Sequence, residues 1–155
     1  MMRDRDSTSL PTYLVGVWSS CVFYYDAFED LLLTFDENEN GFYAYLRPWY
    51  SDITLFHWKV MENNVISIVG QKNYVVDEKR NSIEENIVTK SFKVNIKNIG
   101  TGTDLSGSII DIFELESPLF NWMTSDKFGR IEKDLHTNSI HRAIKCGDLK
   151  SLMSE

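Results

Sequence analysis

Cysteine is close to missing from this chain. Only Cys21 and Cys146 occur among 155 residues, far apart and in no Cys-x-x-Cys pair. No disulfide framework can be read from them, and a reduced, cytoplasmic setting is the expectation. Basic runs are missing too. The formal net charge is -7 with a pI near 5.0, which argues against a nucleic-acid partner, because phosphate contacts need clustered Lys and Arg. No stretch approaches the roughly 20 apolar residues of a membrane span, so no membrane partner is expected. The opening MMRDRDSTSLP mixes charges and has no apolar h-region, so no secretion signal is read there.

Signals for chemistry are also scarce. The three histidines are His57, His136 and His141. The last two are five apart, a spacing that does not share a helix face. There is no His-Glu-x-x-His, and no glycine-rich loop between a strand and a helix to cradle phosphate. Ser19-Ser20-Cys21 offers nucleophiles with no evident base beside them. Many acids could be paired on paper, but nothing selects a pair. The expectation is a protein that is not an enzyme, with no catalytic residues, no cofactor and no metal. His57, between Phe56 and Trp58, is expected to be exposed or satisfied at an edge.

What the chain has in quantity is aromatic side chains, at 13%. Rings in that number fill a core or line a cavity. Many fall in alternating runs. YLVGVWSSCVFYY at 13–25 reads as a strand, with Gly16 marking a bend or a close backbone approach. LLLTF at 31–35 and FYAYLR at 42–47 flank an Asn/Gly bend and make a hairpin. RPWYSD at 47–52 is a turn region. LFHWKV and VISIVG, joined by Glu62-Asn63-Asn64, make a second hairpin. Residues 71–86 read as a loop or a short strand. SFKVNIK at 91–97 is a strand, NIGTGTDLSG is turn-rich, and SIIDIFEL at 108–115 is a strand. SPLFNWMTSDKFGRIEKDL is ambiguous. At least seven strands at hairpin distances, with no helical period between them, predict an antiparallel meander closed to protect its edges. An open sandwich is the alternative.

Within FDENENGFYAYL, Asp36, Asn38, Asn40 and Gly41 fit the first half of a calcium loop. The twelfth position, where that loop needs a bidentate Glu, is Arg47, and the flanks read as strands rather than helices. A hairpin turn using Asn and Gly for backbone freedom is the expectation. Trp18, Phe35, Phe42, Phe56 and Trp58 are expected to share one face across successive strands. They either fill the middle of a barrel or line a cavity for a ligand.

Gly16-Val17-Trp18 on the first strand, followed by a hairpin meander, resembles the lipocalin-like barrels of the calycin group. LTFDENENGFYAYL with FHWKVMENNVISIVG is similar to small bacterial lipocalin-like domains. The resemblance spans roughly residues 13–115. It implies an up-and-down β-barrel whose mouth accepts a small hydrophobic molecule and whose floor is closed by Trp18. The family's Thr-Asp-Tyr motif is absent, with Thr103-Asp104-Leu105 the nearest stretch. The arginine that the family lays over the tryptophan from its last strand has no motif match here, and Arg130 is the candidate. IHRAIKCGDLKSLM resembles the helical half of an ankyrin repeat. Ile140, Ala143 and Ile144 form one helical stripe, and Leu149, Leu152 and Met153 another. Gly147 sits where the first helix should stop, and Asp148 where the next could be capped. A lone repeat cannot bury its own face, so the segment docks on the barrel, serves a partner or continues an array.

The expected organisation is therefore all-β: a lipocalin-like barrel over 10–130 with a short helical C-terminal segment over 137–155. The expected function is a non-enzymatic binding module that encloses a small hydrophobic ligand against Trp18, Phe35, Phe42, Phe56 and Trp58. The alternative is a protein-interaction module of bacterial immunity or adaptor type, with a solid barrel and the C-terminal helices meeting a protein partner. An enzyme in a calycin barrel is the third.

Overall fold

The computed structural model describes residues 9–20, 23, 30–87, 90–116 and 126–152, and of His136 the backbone only. Residues 21, 22, 24 and 25 of the strand expected over 13–25, Cys21 among them, lie outside the described residues, as do 117–125 and Met153.

Antiparallel β-sheet dominates, with a short C-terminal helix. A one-turn helix α1 (Leu10–Leu14) precedes β1 (Gly16–Ser19), β2 (Asp30–Phe35), β3 (Asn40–Arg47), β4 (Tyr50–Val60) and β5 (Val65–Asp77). Then follow β6 (Ser82–Ile87), β7 (Ser91–Thr103), β8 (Ile109–Leu115) and β9 (Lys127–Glu132). Helix α2 (Ser139–Cys146) and a 3-10 stretch over Leu149–Leu152 complete the order.

The strand order is β4-β3-β2-β1-β9-β8-β7-β5-β6, with β4 also paired to β5. The pairing therefore returns to its start. β7 pairs with the first part of β5 and β6 with its last part, so these two strands occupy one position along the same edge. Every other strand pairs with its neighbours in sequence, and β9 pairs with β1.

Two bodies of apolar side chains lie on opposite faces. One face gathers Trp18, Leu31, Leu33, Phe35, Phe56, Trp58, Ile66, Ile68, Phe113 and Phe128 among others. The other gathers Val17, Leu32, Phe42, Ala44, Ile53 and Val76, and there Leu135 and Ile140 cover the sheet. The C-terminal helical segment thus lies on this chain's own sheet. Helix α2 is well bounded. Asn138 Oδ1 accepts the amide of His141 at 3.0 Å, an N-cap. Gly147 takes a left-handed conformation with φ 68, and the Asp148 amide reaches back to Ala143 O at 2.9 Å, as a Schellman ending requires.

Several elements differ from expectation. Residues 10–14 are helix, and β1 is confined to 16–19. Pro11 is suited to a first helical turn, and the Trp18 indole donates to Leu14 O at 2.8 Å, tying the turn to the strand. The stretch read as loop or short strand belongs to two strands, because β5 runs on to Asp77 and β6 follows a tight turn. A register shift opposite Leu55/Phe56 leaves Gln71 unmatched in β5, a bulge that switches which residues face the core. β7 continues through Gly100 and Gly102 to Thr103, so the turn shrinks to Asp104–Gly107. Asp104 Oδ1 holds it by accepting the amides of Ser106 and Ser108, each at 2.9 Å. The ambiguous stretch supplies β9.

Candidate functional site

Of the five rings expected together, Trp18, Phe35, Phe56 and Trp58 share one buried cluster. Phe42 does not: it lies on the opposite face, beneath the helical segment. The cause is one residue away. Phe35, Gly41 and Phe56 are aligned across β2, β3 and β4. A Cβ at Gly41 would stand 2.7 Å from the Phe56 ring and 2.2 Å from Thr34 O. The missing side chain at 41 makes room for the Phe35 and Phe56 rings, whose centroids are 5.9 Å apart. This fixes the parity of β3. Gly41, Tyr43, Tyr45 and Arg47 face the aromatic cluster, whereas Phe42, Ala44 and Leu46 face the helix.

The DENENG bend is the β2–β3 hairpin turn. Asp36 Oδ1 accepts the amides of Asn38 at 2.9 Å and Asn40 at 2.8 Å. The residue with positive φ is Glu39, at 63, so Gly41 supplies space rather than backbone freedom.

One end of the aromatic face is built around Trp18. The Arg130 guanidinium carbon lies 4.7 Å from the centre of the Trp18 ring and 5.1 Å from that of Tyr13. Its charge is matched by Asp111 Oδ2 at 2.9 Å, and a second guanidinium nitrogen donates to Tyr13 O. The Tyr13 hydroxyl donates to Ile112 O at 2.7 Å. Burial pushes the Tyr13 phenol up, the Asp111 carboxylate adds to this, and the hydrogen bond to Gly100 and the Arg130 charge pull it partly back. Gly16 permits this packing, because a Cβ there would sit 2.7 Å from Glu132 O. From Trp18 the rings continue to Phe113 at 4.7 Å, then to Phe128 at 5.1 Å. On the other side Phe35 meets Trp58 at 4.9 Å. These spacings suit edge-on and offset ring contacts.

Towards the other end the face becomes polar. Tyr43 stacks on Phe56 at 6.2 Å. Burial raises the Tyr43 phenol, a hydrogen bond with Thr54 opposes this, and Asp52 adds to the rise. Asn73 donates to Thr54 Oγ1 at 2.9 Å and to the Asp52 carboxylate. Beyond them the Arg47 guanidinium lies 4.6 Å from the centre of the Tyr45 ring and 4.3 Å from that of Tyr50. Pro48 and Trp49 turn the chain so that Arg47 and Tyr50 are paired. Tyr43, Tyr45, Arg47 and Tyr50 form a group that sequence reasoning missed. Its signal was the alternation of Tyr43, Tyr45 and Arg47 with Phe42, Ala44 and Leu46, read with the wrong face inward.

The remaining candidates are scattered. His57 is exposed on the outer face and hydrogen-bonded to Gln71. Among the described residues, no group of three or more His, Cys, Asp or Glu is placed to hold a metal ion, and no helix is long and apolar enough to cross a membrane. A depression of about 1010 Å³ lies against α1 at the Trp18 end, lined in part by Tyr13, Glu37, Trp58, Lys59, Asp111 and Arg130. Its mixed acids and bases select no chemistry. A groove of about 320 Å³ between α2 and the sheet includes Phe42, Gln71 and His141.

No protein-family model, no curated protein and no solved structure matches this chain.

Proposed function

We propose that the chain is an up-and-down β-barrel of lipocalin-like type and acts as a non-enzymatic binding module. Its ligand enters from the end bearing Tyr45, Arg47 and Tyr50, and its apolar part lies against Trp58, Phe56 and Phe35. The observation that carries this reading is the pairing circuit. β4 bonds to both β3 and β5, and β9 bonds to β1; with Leu135 and Ile140 covering the opposite face, this supports a closed sheet with the aromatic cluster inside. The packing of Arg130 on Trp18 beside α1 supports a stoppered floor, and the tyrosine-rich end supports a polar entrance. Apolar burial, at roughly 25 cal/mol per Å², would supply most of the affinity. The test is titration with a naphthalene-sulfonate dye. Saturable one-to-one binding by the folded protein is expected, and no binding would overturn the reading.

A second reading has its own observation. Ring centroids at 4.7–6.5 Å run through the middle of the cluster, a density that suits a solid scaffold for a protein-interaction module. It predicts no dye binding, with loss of a protein partner when residues 137–155 are removed.

A further inference from the structure

The pairing circuit leaves one edge open. β7 pairs with β5 only over Ser91–Asn95, yet it runs on to Thr103 with β8 on its other side. Among the described residues, no strand lies beside β7 beyond Asn95 on the β5 side. Tyr13 shows which backbone groups face that edge. Its hydroxyl reaches Gly100 O at 2.9 Å and Ile112 O at 2.7 Å, so both carbonyls lie between β7 and β8. The Asp104 amide, donating to Ser108 O at 3.0 Å, fits the same alternation. The amides and carbonyls of Ile99, Thr101 and Thr103 therefore point away from β8, into the open edge. The usual protections of an edge are missing there. Residues 98–110 hold one charged side chain, Asp104, in a chain that is 25% charged, and its carboxylate is turned back on Ser106 and Ser108. They hold no proline, and Ile99 is half exposed. The edge of β8 is short by contrast, because β9 joins it at Ile112.

We propose that this edge of β7 pairs with the same edge of a second copy of the chain, antiparallel and about a two-fold axis at Thr101. The sequence is self-complementary in that arrangement. Ile99-Gly100-Thr101-Gly102-Thr103 alternates β-branched residues with glycine and reads alike in both directions. Thr101 then faces Thr101 of the copy, Ile99 faces Thr103, and glycine faces glycine. The groups left open in one molecule meet those left open in the other. Nothing stands within 4 Å of the absent Cβ at Gly100, so the backbone there is open to approach. Charge selects the occupant. Two molecules that each carry -7 repel one another except where neither presents charge, and this edge is such a place. A contact of this symmetry closes at two copies.

The experiment uses the full chain. Sedimentation from about 5 to about 500 μM is expected to show monomer and dimer only, with micromolar dissociation, because a single strand edge is a small interface. Amide exchange by NMR on the same samples reads the edge directly. The amides of Ile99, Thr101 and Thr103 are expected to slow by roughly tenfold or more as the dimer forms, whereas Gly100 and Gly102, bonded to β8, stay protected throughout. Thr101→Lys sets like charges across the axis and is expected to weaken the dimer by roughly tenfold or more. Thr101→Val should keep it, and Ile87→Lys, at an exposed site on β6, should leave it unchanged. A monomer at every concentration overturns the proposal and leaves the edge to an extended peptide of another protein. Open-ended assembly overturns the two-fold contact. A dimer that Thr101→Lys leaves intact, that Ile87→Lys dissolves, or that does not slow those three amides lies elsewhere on the molecule and also overturns it. The exchange measurement on the unaltered chain needs no variant to fold.

Discussion

At the residue scale, two glycines do opposite work. Gly41 is required for space, because the Phe56 ring and Thr34 O occupy the volume of its absent Cβ. Gly147 meets nothing within 4 Å and is required for its φ of +68. Gly41→Ala should therefore force the Phe35–Phe56 pair apart and cost about 1–3 kcal/mol, as overpacking does. Gly147→Ala should cost about 1 kcal/mol through the backbone alone. Urea denaturation of both variants separates the two. Trp58 is buried with its indole donating to Asn40 O at 3.1 Å, so Trp58→Ala should lose roughly 3–5 kcal/mol. A melting curve left unchanged would remove Trp58 from the core. Tyr13 and Tyr43 carry a pH signature. Both phenols are raised above 10.0 by burial. An acid with a raised folded pKa favours the protonated fold, so this contribution is intact below about pH 10 and fades as the pH climbs through the raised values. Tyr43→Phe should reduce the alkaline loss, read as stability against pH from 8 to about 11.

At the element scale, local pattern was legible wherever one face was apolar and the other polar. β7 is the clear case, with Phe92, Val94 and Ile96 on one face, whereas β2 is buried on both faces, Leu31, Leu33 and Phe35 on one and Leu32 on the other. β3 was legible as a strand but not in its orientation. Phe42 and Tyr43 are both aromatic, and only the cross-strand neighbours of Gly41 decide between them. The bulge at Gln71 was invisible for the same reason: it is a property of the β4–β5 pair. The glycines of β7 read as turn residues because their strand context comes from β8. Helix α2 was the reverse case at its end, where Gly147 was legible as a local stop, whereas its N-cap, Asn138, was not read. Asn138→Ala should cost about 1 kcal/mol by freeing the His141 amide. Circular dichroism should show the loss confined to a small helical signal, with the sheet signal retained.

At the scale of the whole molecule, the pairing of β1 with β9 joins residues distant in sequence. Val17 pairs with Glu132, and Trp18 with Arg130. No local pattern announces β9, whose apolar content is Phe128 and Ile131 alone, yet without it β1 and β8 would each present an open edge. The polar end of the aromatic face was equally hidden, because Arg47 meets the Tyr45 and Tyr50 rings only through the β3–β4 pairing. The outer face depends on its helical cover. Removing residues 137–155 should expose Leu32, Phe42, Ala44 and Ile53, and size-exclusion chromatography should show self-association of the shortened chain.

The central claim is that a continuous ring of strands surrounds Trp18 and Trp58, and cross-strand proton–proton contacts in solution NMR test it most directly. Contacts joining Val17 to Glu132 and Trp18 to Arg130, together with Trp58 to Ile68, are the predicted result. A first strand with no such contact to 127–132, or rapid amide exchange along both, would leave an open sheet and contradict the account.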